Sequence, residues 1–269
     1  MKIGIFDSGL GGLIITRAIS KMMPEYDYVY LGDTKRVPYG NKSHEAVFEC
    51  SKEAIDYLFR KENCALVIIA CNTASARALR QIQKEYIPNN FKDQKVLGVL
   101  IPAAEVAAIY KRVGVLATLG TVASDAWAIE IQKINDKVKV FQNPAPMLVP
   151  LTEEGENTLA QPFLLKYLKP FMKKNLDALV LGCTHYPILK KEIRKIMGEK
   201  VKVISQDEII PAKLKEYLTR HTAISEKLSK NKNMKVLVTD KTQNLDVLVK
   251  KWFGVQVKAE VISLEKAKQ

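Results

Sequence analysis

The sequence predicts an α/β protein of two pseudo-symmetric, doubly wound units whose sheets are mainly parallel, with a ligand cleft between them. Three observations lead there. Short β-branched runs are each followed by apolar residues at helical spacing. The alternation restarts after about a hundred residues, near the roughly 150 residues of a common domain. The strand ends of the two halves carry matching residues. Strand, helix, strand, helix implies parallel pairing, because a parallel neighbour is reached only through a crossover.

Taken in order, Ile3–Phe6 has the length of a buried strand, and Leu13, Ile14, Ala18, Ile19, Met22 and Met23 mark a helix that Pro24 closes. Tyr28–Leu31 is a second strand, Ala46 to Leu58 a helix and Leu66–Ala70 a continuous apolar strand. Ala76, Leu79, Ile82 and Tyr86 then share one helix face. Val96–Leu100 meets Pro102 and reads as the crossover between units. Beyond it, Val113–Leu116, Val138–Phe141, Leu179–Leu181 and Val201–Ile204 read as strands. Ala123 to Gln132 is helical, as is the stripe Ile188, Leu189, Ile193 and Ile196, stopped by Gly198. A helix from Ala212 to Leu218, a strand at Val236–Val238 and a helix ending at Phe253 and Gly254 make too small a remainder to fold alone. They are assigned to the first unit's sheet. The first domain is therefore expected at 1–97 plus 208–269, and the second, 98–207, is inserted in it.

The halves echo each other. Ile3-Gly4-Ile5-Phe6-Asp7-Ser8 resembles Val113-Gly114-Val115-Leu116-Ala117-Thr118, and Val67 to Thr73 resembles Leu179 to Thr184. Ser8 precedes Cys71 by 63 positions and Thr118 precedes Cys183 by 65. Each half thus sets a hydroxyl and a cysteine at the carboxyl ends of buried strands, where open α/β sheets bind ligands. A duplication would bring Cys71 and Cys183 face to face across the cleft.

Asn72-Thr73-Ala74-Ser75 and Thr184-His185-Tyr186-Pro187 follow those cysteines. Such residues cap a helix and aim its first N–H groups into the cleft, an arrangement expected to lower a thiol's pKa. A drop of about 1.5 units would take a thiol from roughly 3% to half ionised at pH 7. Two opposed thiols, one ionised and one not, can remove a proton from one face of a carbon and return one to the other, inverting it. Donors at helix starts can cradle the carboxylate while it gains enolate character. Cys50 and Cys64 read as packed small hydrophobes.

Composition removes other classes. Hydrophobic residues are 47% and charged residues 26%, with 13 Gly and 11 Pro, which excludes disordered and collagen-like chains. No apolar run is long enough to span a membrane, and Asp7 interrupts any secretory core, so a cytoplasmic protein is expected. Four cysteines without CxxC spacing, and His44, His185 and His221 without HxH or HxxxH spacing, indicate neither a disulfide framework nor a metal. The net charge of +13 would attract polyanions and steer a small dianionic substrate. The basic residues are dispersed, without a groove-reading motif, so nucleic acid is not expected. The Gly9-Leu10-Gly11-Gly12 loop lacks both GxGxxG spacing and a Walker lysine, so it is not a nucleotide cradle.

Five segments in register, Asp7-Ser8-Gly9-Leu10-Gly11-Gly12-Leu13, Gly32 to Gly40, Ala70 to Ser75, Gly120-Thr121-Val122 and Gly182 to Pro187, resemble the glutamate racemase family over most of the chain. The resemblance implies a cofactor-independent, two-base racemase of glutamate that serves peptidoglycan synthesis and commonly forms a homodimer. By this likeness Cys71 takes the α-proton of D-glutamate and Cys183 that of L-glutamate, assisted by Asp7 and His185. Ser8, Tyr39, Gly40, Asn72, Thr73, Thr118, Thr121 and Thr184 match positions that hold the substrate, with Asp7 and His185 beside them, and Glu153 aligns with an acid near the cleft. The chain departs from the family's wording at Pro102-Ala103-Ala104, Ala117-Thr118, Asp125-Ala126-Trp127 and Pro144-Ala145-Pro146, around the inserted unit's rim.

Other readings stay open. Asp7 could cap the helix near Leu10, Pro38-Tyr39-Gly40 could be an ordinary turn, and His185 could be a structural helix-end residue. The substrate could be aspartate or a hydantoin. The charge could serve a noncatalytic polyanion binder, or the two thiols could form a redox pair.

Overall fold

The computed structural model describes residues 1–241, 243–254 and 257–264. Its strands are β1 (Lys2–Asp7), β2 (Tyr28–Gly32), β3 (Cys64–Ile69), β4 (Lys95–Gly98), β5 (Arg112–Ala117), β6 (Lys139–Pro144), β7 (Ala178–Gly182), β8 (Lys202–Ile204), β9 (Met234–Val238) and β10 (Ala259–Val261). They form two sheets, ordered β10-β9-β2-β1-β3-β4 and β6-β5-β7-β8. Every pairing is parallel. The order β2-β1-β3-β4 in one sheet recurs as β6-β5-β7-β8 in the other, so the two cysteine-bearing strand ends, after β3 and β7, occupy equivalent places.

Both faces of each sheet are covered, which is why the central strands β1, β3, β5 and β7 read as nearly unbroken apolar runs. Ile3 and Ile5 of β1 face the helices Gly12–Met22, Gln206–Arg220 and Leu245–Phe253. Phe6, Val67 and Ile69 face the other way, onto the helix His44–Arg60. In the second sheet Leu116, Leu179 and Leu181 pack on the helix Asn157–Met172, while Val113, Val115 and Val180 pack on Leu100–Ala107 and Ala126–Ile134. Each fully buried Leu or Ile contributes about 2 kcal/mol of transfer free energy. No helix among the described residues is long and apolar enough to cross a membrane.

Several elements differ from expectation. The helix expected over 76–86 is broken into Asn72–Arg77, Leu79–Gln81, a wide turn at Ile82–Tyr86 and Ile87–Asn90. Pro88 lacks an N–H and crowds the preceding turn, and the wide turn accommodates it. The helix expected over 123–132 is two pieces, Leu119–Ala123 and Ala126–Ile134, parted at Asp125, whose φ of 53° is left-handed. Glycine adopts that conformation without strain, and Asp125 fills it while accepting a hydrogen bond from Gln142 at 2.8 Å. The helices Leu100–Ala107, Leu148–Glu153, Asn157–Met172 and Thr222–Ser225 and the edge strand β10 had no counterpart in the sequence reading. Pro162 and Pro170 lie inside the longest of these helices and mask it, although Ala160, Leu164, Leu168 and Phe171 form its buried stripe.

Candidate active site

The carboxyl ends of β1, β3, β5 and β7 converge on a cavity of about 330 Å³. Cys71 and Cys183 both line it, with Ser8, Tyr39, Gly40, Asn72, Thr73, Thr118, Glu153, Thr184 and His185. Asp7 and Thr121 are fully buried behind this lining. Thus the sequence-predicted residues gather around one site, with Asp7 and Thr121 set behind its wall.

Cys71 is the N-cap of the helix Asn72–Arg77, and its Sγ accepts a hydrogen bond from the Ala74 N–H at 3.4 Å. Ser8 Oγ and Cys71 Sγ share a second at 3.2 Å. The expectation that this helix start lowers the thiol's pKa fails. Burial first, and then the Asp7 carboxylate, push Cys71 up to about 12 against the hydrogen bonds from Ser8 and Ala74. A helix start offers partial charges, whereas desolvation acts on the whole thiolate charge. Cys71 therefore holds its proton at neutral pH. Asp7 itself is raised above the ordinary carboxylate range, chiefly by burial, while His185 and the Gly9 and Gly12 N–H groups pull it back. The Gly9 N–H donates to Asp7 Oδ2 at 3.1 Å, and Oδ1 has no hydrogen-bond partner. The following helix, Gly12–Met22, has Gly11 at its N-cap position, and its first N–H, that of Gly12, turns toward Asp7.

Cys183 has a different neighbour. His185 Nδ1 lies 3.7 Å from its Sγ, and His185 Nε2 lies 2.9 Å from Glu153 Oε1. Burial alone would depress the imidazole, yet its hydrogen bonds to Cys183 and Glu153 push it up to about 10. At neutral pH it is a cation, donating from Nδ1 toward sulfur and from Nε2 to the carboxylate. Trp252 packs edge-on against the ring, with centroids 5.4 Å apart at 88°. Gly11 lies so close that a Cβ there would stand 2.5 Å from Thr184 Oγ1 and 2.6 Å from His185 Nδ1. The Gly-rich loop thus serves close backbone approach across the cleft.

Three hydroxyls form a triangle on the opposite wall. Thr73 and Thr118 are 2.9 Å apart, Thr118 and Thr121 2.9 Å, and Thr73 and Thr121 3.2 Å. Thr118 also N-caps the helix Leu119–Ala123, as Cys71 caps its own. The Tyr39 hydroxyl donates to Asp33 Oδ2 at 2.5 Å, and Arg36 Nε donates to the same oxygen at 2.6 Å. Thr239 donates to Asp33 Oδ1 at 2.9 Å, so this buried carboxylate fixes the Tyr39-Gly40 wall. Arg77 donates to the carbonyls of Gly120, at 2.9 Å, and Lys42, binding the two rims. Sequence reasoning assigned no role to Asp33, Arg77, Trp252 or Gln206. Asp33 stood within a quoted motif, while nothing local marks the other three.

A family model described as Asp/Glu/Hydantoin racemase matches residues 11–209. A glutamate racemase of Aquifex aeolicus is 37% identical, covering 98% of this chain and 98% of its own. One from Geobacter metallireducens is 44% identical over 77% of this chain and 76% of its own. The crystal structure of glutamate racemase from Francisella tularensis in complex with D-glutamate superposes with a TM-score of 0.89 at 32% identity, covering 98% of both chains.

Proposed function

The chain belongs to the Asp/Glu/Hydantoin racemase family and is an amino-acid racemase, and from that premise we propose that it interconverts L- and D-glutamate through two opposed cysteines and without a cofactor. The observation that carries this reading is that both sulfurs line one cavity in unlike proton environments. Cys71 retains its proton, and Cys183 faces the His185 cation.

In the L to D direction, Cys183 as thiolate removes the α-proton of L-glutamate. The electron pair of the broken C–H bond passes into the adjacent carboxylate, giving an enediolate held by the Thr73 and Thr118 hydroxyls, which Thr121 backs, and the N–H groups of the two capped helices. The Cys71 thiol then delivers its proton to the opposite face, and the C–H bond re-forms inverted. The resulting Cys71 thiolate beside Asp7 and the Cys183 thiol beside His185 are the starting pattern for D to L. Asp7 and His185 hold or return the sulfur protons. The remaining lining residues orient the substrate. The D-glutamate formed serves peptidoglycan synthesis in the cytoplasm, and the working unit is a homodimer.

Circular dichroism of single L-amino acids incubated with the protein tests the assignment. L-Glutamate should lose its signal while L-aspartate keeps it. Loss with aspartate alone would move the substrate to a sister reaction.

A further inference from the structure

Gln206 is the first residue of the helix Gln206–Arg220, which follows β8 of the second sheet and packs on the first. There it meets Asn72, the residue after Cys71. Asn72 Nδ2 donates to Gln206 Oε1 at 2.7 Å, and Gln206 Nε2 donates to Asn72 Oδ1 at 2.8 Å and to the Val99 carbonyl at 3.3 Å. Both side chains are buried, Gln206 at 1% exposure and Asn72 at 2%.

We propose that Gln206 is a positioning residue for the racemisation, fixing which way the Asn72 amide faces beside Cys71. An amide has two donors and an acceptor oxygen with two lone pairs. Turning Asn72 alone would set oxygen against oxygen and nitrogen against nitrogen. Turning both would set the Gln206 oxygen against the Val99 carbonyl. The carbonyl therefore fixes Gln206, and Gln206 fixes Asn72. The reciprocal pair leaves Asn72 one N–H, with a set direction, for the substrate in the cavity it lines. The polarity of the Cys71 wall therefore depends on a side chain 134 positions further along the chain.

This rests on the glutamate reading, which the wild-type rate in the same assay tests separately. Gln206→Met keeps the length and removes both amide functions. Its KM for glutamate should rise about tenfold or more, in keeping with a lost buried hydrogen bond, while the melting temperature falls by several degrees and the protein stays folded at the assay temperature. Gln206→Glu keeps one acceptor. Its buried carboxyl, facing two carbonyl oxygens, donates only when protonated, so its kcat/KM relative to wild type should climb as pH falls from 9 to 6. The proposal is overturned if Gln206→Met has KM and kcat within twofold of wild type. It is equally overturned if the Gln206→Glu ratio is flat with pH. A wild type that leaves glutamate unchanged would instead remove the substrate reading itself.

Discussion

Replacing Glu153 by Gln keeps the shape of the acid that holds the His185 proton and removes its charge. The contact is 2.9 Å, with His185 7% and Glu153 33% exposed. Charge centres about 4 Å apart in an effective dielectric of roughly 20 attract by about 4 kcal/mol. Glu153's partial exposure leaves about half of that after screening, and about 2 kcal/mol is about 1.5 pH units. His185, held up to about 10 in the wild type, should then lose its proton about 1.5 units earlier. The sign follows from the role: the cation is present below the imidazole's pKa and lost above it. Initial rates of L-glutamate racemisation, followed by circular dichroism from pH 6 to 10.5, should show the variant-to-wild-type ratio falling through pH 8 to 9. Titration of the substrate's own ammonium cancels in that ratio. The same pair stabilises the fold, fully below the unfolded imidazole's ordinary pKa of about 6.5, and that contribution is lost as pH rises toward 10. The variant should therefore be less stable at pH 6 and converge on wild type near pH 10. A ratio independent of pH would refute the role given to His185.

Cys71→Ala and Cys183→Ala should each cut racemisation by about a thousandfold or more with circular dichroism of the fold unchanged, and near-full turnover by either would break the two-base assignment. Thr118→Val removes two hydrogen bonds of 2.9 Å from the hydroxyl triangle and should raise KM about tenfold. An unchanged KM would mean the triangle does not hold the substrate. Asp7→Asn should lower kcat yet stabilise the fold by about 1 kcal/mol at pH 8. The raised, buried carboxyl costs stability only once pH passes above its ordinary range, so the gain should vanish near pH 4. Equal gains in urea melts at both pH values would contradict this. Gly11→Ala drives a methyl into Thr184 and His185 and should cost activity at both substrate enantiomers, measured as kcat/KM in each direction. An unimpaired variant would show that the close approach is dispensable.

What was legible in the sequence is what lies at strand ends. Ser8, Cys71, Thr118 and Cys183 each follow a buried run, and the period-two and helical patterns around them locate those ends to within a residue or two. The helix Asn157–Met172 was hidden because its two prolines read as breaks, while the stripe from Ala160 to Phe171 outweighs them by packing on β5 and β7. Gln206 was invisible because it meets Asn72 across 134 positions with no local pattern. Nor could the Cys71 proton be placed from its neighbours in the chain. The helix start argues for a thiolate and the Asp7 charge for a thiol, and only the depth of burial decides for the thiol.

Deuterium uptake tests most directly whether two sulfurs on opposite faces carry the reaction. With L-glutamate in deuterium oxide, sampled by proton NMR of the separated enantiomers over the first few per cent of conversion, the D-glutamate formed should carry deuterium at its α-carbon while the remaining L-glutamate stays protonated. The mirror result should hold from D-glutamate. Deuterium appearing equally in the unreacted enantiomer would mean that one base serves both faces.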